Sequence, residues 1–146
     1  MPATESATSA VTSHPPAPSA EAITHFASLL AFETDCADVH QALDTGAADF
    51  VLLDVRSPDA YEAAHIDGAV NLPYGRIVER NLAGYPTDTV FVTYCNGPHC
   101  NAADKAALRL AELGRPVKKM IGGMTGWLDE GYSLVESVSD RGIEHR

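Results

Sequence analysis

Cys95, His99 and Cys100 lie close together in one short stretch, and their side chains suit the chemistry of nucleophilic sulfur. A cysteine acts as a nucleophile through its thiolate. A second thiol a few residues away can attack a sulfur species formed on the first and resolve it as a disulfide. His99 can favour a thiolate or bind an anion, and a solvent-facing loop histidine is the plainer alternative. Cys100 either reacts in this way or only lines the loop, and both readings stay open. Cys95, His99, Cys100 and a distant His65 are also metal-ligating residue types. Their spacing is not that of a structural zinc site, so no metal is expected.

The elements that must position these groups are legible around them. Val90–Tyr94 is an apolar, β-branched and aromatic run bounded by Pro86, Asp88, Gly97 and Pro98, which predicts a buried strand with Cys95 at its end. Asn101 and Asp104 are spaced as a capping-box-like pair. They predict a helix whose apolar stripe is Ala103, Ala107, Leu110 and Leu113 and which Gly114 ends. A cysteine between a strand end and a helix N-terminus faces backbone N–H groups and the positive end of the helix dipole. Both favour thiolate, so Cys95 is expected to be the reactive cysteine; the alternative is a small buried hydrophobe.

The remaining chain reads as alternating strands and helices. A helix is expected over residues 21–31 and a short strand over residues 32–34. Asp35 caps a helix running from Cys36 to Leu43, which makes Cys36 a first-turn helix residue. Phe50–Val55 is a continuous apolar run, the pattern of a strand covered on both faces of a parallel sheet. Ser57 and Pro58 start a helix reaching Ala64. Residues 69–72 form a strand, residues 77–82 are weakly helical, and Val117–Met120 is the last strand. This alternation predicts an α/β fold, a three-layer α/β/α sandwich with a mostly parallel sheet, whose ligands bind beyond the carboxyl ends of the strands.

The 146 residues suit one domain. Residues 1–20 read as a flexible tail without Lys or Arg, residues 21–135 as the domain, and residues 136–146 as a C-terminal tail. Three cysteines do not make a secreted disulfide framework and point to a reducing, cytoplasmic location. A net charge of −10 argues against nucleic acid as a partner, and no apolar run approaches membrane-spanning length.

Four blocks in order carry a resemblance. LLDVR at Leu52–Arg56, YEAAHIDGAVNLP at Tyr61–Pro73, the strand-borne Cys95 loop and IGGMTGW at Ile121–Trp127 resemble the rhodanese-like domain. The resemblance covers roughly residues 32–132. It implies a five-stranded parallel sheet flanked by helices. It also implies a catalytic Cys95 that takes a sulfane sulfur from thiosulfate or glutathione persulfide, becomes a persulfide, and passes the outer sulfur to a thiol or to cyanide. Such covalent catalysis needs no cofactor. Asn96, Gly97, Pro98, His99, Cys100 and Asn101 would form the substrate-binding loop. Asp54 and Arg56 would pair beneath the site, with His65 as a hydrogen-bonded structural residue. Gly122 and Gly123 would permit a tight turn, and Trp127 would pack in the core.

The loop departs from the commonest pattern of the family, in which an Arg or Lys can hold thiosulfate. Here His99 is the only residue of the loop able to carry positive charge, and Pro98 removes an amide donor. Related phosphatases close an enlarged loop with an arginine; Cys100 and Asn101 stand in that region here. The Cys-x-Gly-Pro-x-Cys loop is similar to that of a subgroup of the family. The expected function is therefore sulfur transfer. The alternative is a non-enzymatic redox module using a Cys95–Cys100 disulfide. The expected partners are the sulfur donor and a thiol acceptor, and a homodimer is left open.

Overall fold

In a computed structural model of the protein, residues 8–137 are described. They divide into two units. One runs to Ala31 and consists largely of helix α1 (Ser19–Phe32); the other begins at Phe32. Helix α1 is slightly longer at both ends than the expected 21–31. Of the tails expected at residues 1–20 and 136–146, residues 1–7 and 138–146 lie outside the described residues, while residues 19 and 20 belong to α1 and residue 136 to a strand.

The second unit alternates as its sequence predicts. Strand β1 (Glu33–Thr34) leads to α2 (Cys36–Asp44), whose N-cap Asp35 accepts the Asp38 amide at 2.9 Å. Strand β2 (Val51–Asp54) leads to α3 (Pro58–Ala63), where Ser57 accepts the Ala60 amide at 3.2 Å and Pro58 occupies the first turn. These caps satisfy N–H groups that a helix start leaves unpaired. Next come β3 (Ala64–His65), β4 (Val70–Asn71), a 3₁₀ turn (Tyr74–Arg76), α4 (Glu79–Leu82), β5 (Phe91–Tyr94) and α5 (Ala102–Glu112). Strand β6 (Val117–Met120), α6 (Gly123–Asp129) and β7 (Val135–Glu136) complete the described chain.

The main sheet has five strands in the order β1-β6-β5-β2-β4, and every pairing is parallel. Strand β5 lies at its centre, with Val51–Asp54 of β2 in register with Phe91–Tyr94. Because side chains alternate along a strand, the sheet feeds two cores. On one side Leu52, Val92, Tyr94 and Met120 pack with Cys36 and Val39 of α2 and with Met124 and Trp127 of α6. On the other, Leu53, Val55, Phe91 and Cys95 pack with Leu82 of α4 and with Ala103, Ala106 and Leu110 of α5. The expected three-layer α/β/α sandwich with its parallel sheet is thus present.

Two details differ from expectation. Asn101 does not cap α5 with its side chain, because its backbone (φ −102°, ψ 14°) is not the extended one that lets a side chain reach back. Strands β3 and β7 form a separate two-stranded antiparallel pair, Ala64 opposite Glu136 and His65 opposite Val135, too short for sequence patterning to reveal.

Candidate active site

Cys95 follows directly on β5, at the carboxyl edge of the sheet, and its side chain belongs to the α5-side core at 4% exposure. The chain then turns sharply: the Cys100 amide donates to the Gly97 carbonyl at 3.0 Å, bringing Cys100 back beside Cys95. Thr93 Oγ1 donates to the Ala103 carbonyl at 3.0 Å, tying the end of β5 to the start of α5. A cleft of about 280 Å³ opens here. Its walls are Cys95 and the loop from Gly97 to Asn101, the first turn of α5 (Ala103, Asp104), and the segment from Lys119 to Gly123.

The loop is held from the opposite side by the first turn of α6. The Met124 amide donates to the Cys95 carbonyl at 3.0 Å, and the Thr125 amide to the Asn96 carbonyl at 2.9 Å. Thr125 Oγ1 donates to the same Asn96 carbonyl at 3.1 Å. Gly122 (φ +90°) and Gly123 (φ +57°) make the turn that aims these donors. A Cβ on Gly123 would collide with the Cys95 carbonyl oxygen and lie 2.8 Å from the Gly97 nitrogen, so backbone approach and backbone conformation both require glycine there. Cys36 lies behind this turn, its Sγ 3.5 Å from the Ile121 carbonyl, and burial pushes its thiol up to about 11.

Beneath the loop runs a satisfied polar network. Arg56 Nη2 and Asp54 Oδ2 are 2.6 Å apart, with Asp54 fully buried and Arg56 8% exposed. Arg56 also donates to the Ala64 carbonyl at 2.6 Å, and its Nη1 reaches Asn96 Oδ1 at 3.4 Å. Tyr94 completes the network: its hydroxyl donates to Asp54 Oδ2 at 2.8 Å and accepts the Ile66 amide at 3.1 Å. Burial and the neighbouring Asp54 carboxylate push the Tyr94 phenol well up, keeping it protonated as a donor. His65 lies outside the cleft, with Nδ1 2.8 Å from the Tyr61 carbonyl and its ring stacked on that of Tyr61. Trp127 is buried and donates to the Ser133 carbonyl at 3.0 Å.

The electrostatics of the two sulfurs correct one expectation. Burial pushes the Cys95 thiol up to about 11, and its hydrogen bond to Cys100 adds to the rise. The Asn96 amide and the field of Arg56 oppose this without overcoming it. Cys100 is lowered instead, first by the hydrogen bond from Cys95, and then, against a smaller burial penalty, by the Ala102 and Asn96 amides and by Lys105. The helix start expected to favour a Cys95 thiolate acts on Cys100, which stands nearer to it. Within the pair the lowering thus falls on the more exposed Cys100 and the rise on the buried Cys95.

Of the loop residues named from the sequence, Cys95 and Gly97 to Asn101 line the cleft and Asn96 does not, and two further contributors were missed. One is Tyr94, which reads only as a strand aromatic. The other is Lys119, which lines the cleft with its Nζ 3.0 Å from Asp104 Oδ1 and 3.9 Å from Glu33 Oε2. A lysine alternating within a strand carries no signal of a site.

Known proteins resemble this chain in sequence and fold. The crystal structure of the BH2092 protein from Bacillus halodurans superposes with a TM-score of 0.80 at 36% identity, over 83% of this chain and 88% of that one. The HTH-type transcriptional regulator Rv0324 of Mycobacterium tuberculosis is 37% identical over 92 residues, 63% of this chain. This chain spans only 40% of the length of that regulator. Thiosulfate sulfurtransferase PspE of Escherichia coli is 35% identical over 74 residues, 49% of this chain and 68% of PspE. The rhodanese-like domain family matches residues 35–130, from the cap of α2 to the end of α6 and so across every residue that lines the cleft, and to that family this chain belongs.

Proposed function

We propose that the protein is a sulfurtransferase that carries a sulfane sulfur on Cys95, taking it from thiosulfate or a persulfide and passing it to a thiol or to cyanide. The observation that carries this reading is the hydrogen-bonded Cys95–Cys100 pair in a cleft at the carboxyl edge of the sheet. Cys95 passes its proton to the Cys100 thiolate and attacks the outer sulfur of the donor. The donor's S–S bond breaks and its thiolate or sulfite leaves with the electron pair. An acceptor thiolate then takes the outer sulfur and returns Cys95 to its starting state. The loop residues Gly97, Pro98, His99 and Asn101 bound the space in which donor and acceptor are held, and Asn96 holds the loop from beneath through Arg56. Free thiols of this kind suit a reducing compartment, the cytoplasm.

The same contact between sulfurs supports a second reading, a redox module. Cys100 can resolve the persulfide by attacking Cys95 Sγ and releasing sulfide; in the redox module no donor is needed, a mild oxidant such as a peroxide taking two electrons and two protons from the thiols to close a reversible Cys95–Cys100 disulfide. Intact mass measurement after exposure to thiosulfate and to glutathione persulfide tests both. A Cys95-dependent gain of about 32 Da is expected for the persulfide, and it should persist longer in Cys100→Ser. Loss of two hydrogens without any sulfur gain would favour the redox module.

A further inference from the structure

We infer that the cleft selects its donor by charge, taking an organic persulfide in preference to the thiosulfate dianion, with the Lys119–Asp104 pair setting that preference. The inference rests on the sulfurtransferase reading and names the donor class for it.

Three cations lie near the sulfurs, and each is already engaged. Arg56 is closed on Asp54 and the Ala64 carbonyl. Lys105 sits over the Tyr74 ring, 5.4 Å from its centroid, and is not part of the cleft wall. Lys119 does line the cleft, but Asp104 holds its Nζ at 3.0 Å and Glu33 stands at 3.9 Å. Asp104 itself lines the same wall, with its side chain 55% exposed. When the pair carries the thiolate that attacks, the second anion on Asp104 and the single cation on Lys119 leave the wall that a dianion approaches with an excess of negative charge.

Several backbone groups of the wall are not free to offset this, the Ile121 amide among them, which donates to the Thr34 carbonyl at 2.9 Å. Pro98 has no N–H, the Cys100 amide is engaged by the Gly97 carbonyl, and the Asn96 and Ala102 amides face the sulfurs. Ile121, 43% exposed on the cleft wall, and Pro98 instead offer apolar surface. That surface suits the carbon arm of a persulfide R–S–SH. In the loading step the Cys95 sulfur attacks the outer sulfur and RS⁻ departs. RS⁻ then takes the proton that Cys95 had passed to Cys100, giving the Cys95 persulfide and RSH with no net oxidation.

Single-turnover loading of the full chain, followed by intact mass with cysteine persulfide and with thiosulfate, tests the inference. Asp104→Asn releases Lys119 and should raise the thiosulfate-to-persulfide rate ratio at least about fivefold; Lys119→Met removes the cation and should lower it about as much. Raising the salt concentration should speed thiosulfate loading of the unaltered protein relative to persulfide loading, because it screens the repulsion. A ratio that neither substitution moves, or that moves in the same direction in both, overturns the charge selection while leaving sulfur transfer standing. Failure of both donors to load Cys95 at all would overturn the sulfurtransferase reading and this inference with it.

Discussion

At the residue scale the site depends on two sulfurs that share a proton. Cys95 is raised by burial and by its contact with Cys100, so removing that contact should bring its titration down. We predict that Cys100→Ala shifts the pH at which Cys95 is alkylated by iodoacetamide to lower values, as read by peptide mass spectrometry across a pH series. An unchanged or higher midpoint would mean that burial alone sets it. Tyr94 supplies a second test. Its hydroxyl joins Asp54 to the Ile66 amide, so Tyr94→Phe leaves a buried carboxylate oxygen and a buried N–H each short of a partner. A loss of about 1–3 kcal/mol in urea unfolding is expected. Asp54→Ala, which strands the Arg56 guanidinium, should cost about 3–5 kcal/mol.

At the scale of elements, the loop is positioned from both sides, by β5 leading in and by the first turn of α6 behind. Gly123→Ala therefore combines left-handed backbone strain of about 1–2 kcal/mol with a collision against the Cys95–Gly97 backbone. Gly114→Ala is the control: φ is also positive, at +77°, but an added Cβ meets nothing within 4 Å. Both should lower the unfolding midpoint, but only Gly123→Ala should abolish sulfur loading; equal loading in the two would show that the turn is not what sets the loop. Most of this framework was legible in advance. The caps at Asp35 and Ser57, the Phe50–Val55 run and the exact span Val117–Met120 follow from local patterns with a clear physical cause. What escaped was tertiary. Asp104, read as a capping partner for Asn101, binds Lys119 instead, a residue on the far side of α5 in sequence and its neighbour only once the sheet has formed. The buried helix stripe runs through Ala106 and not Ala107, because the sheet beneath, and not helical periodicity alone, sets which residue is deepest. The β3–β7 pair likewise joins segments of two residues each, below the length at which alternation can be read.

At the scale of the whole molecule, two buried thiols make global stability depend on pH. Cys36 and Cys95 both titrate near 11 in the fold, above the usual range for a free cysteine. The native state then holds more protons than the unfolded chain at alkaline pH, so stability falls as pH rises. The contribution is fully present below about 8.5, the ordinary cysteine value, and is lost progressively as pH climbs to about 11. Urea midpoints measured from pH 7 to pH 10.5 should decline, and less steeply in Cys36→Ala once its own lower starting stability is taken into account. A flat profile would mean that neither thiol is held protonated by the fold. No helix of the described residues is long and apolar enough to cross a membrane.

The hydrogen bonds from Met124 and Thr125 to the Cys95 and Asn96 carbonyls also order events in time. Synthesis runs from the N-terminus, so β5, Cys95 and Cys100 are made before the turn that clamps them. Until residue 125 has been added and has emerged, the two thiols sit on an unbraced segment, and their neighbour across the sheet, β6, is not yet paired. The geometry of the loop is therefore among the last features of the domain to be fixed, once residues 122–125 can fold back onto it.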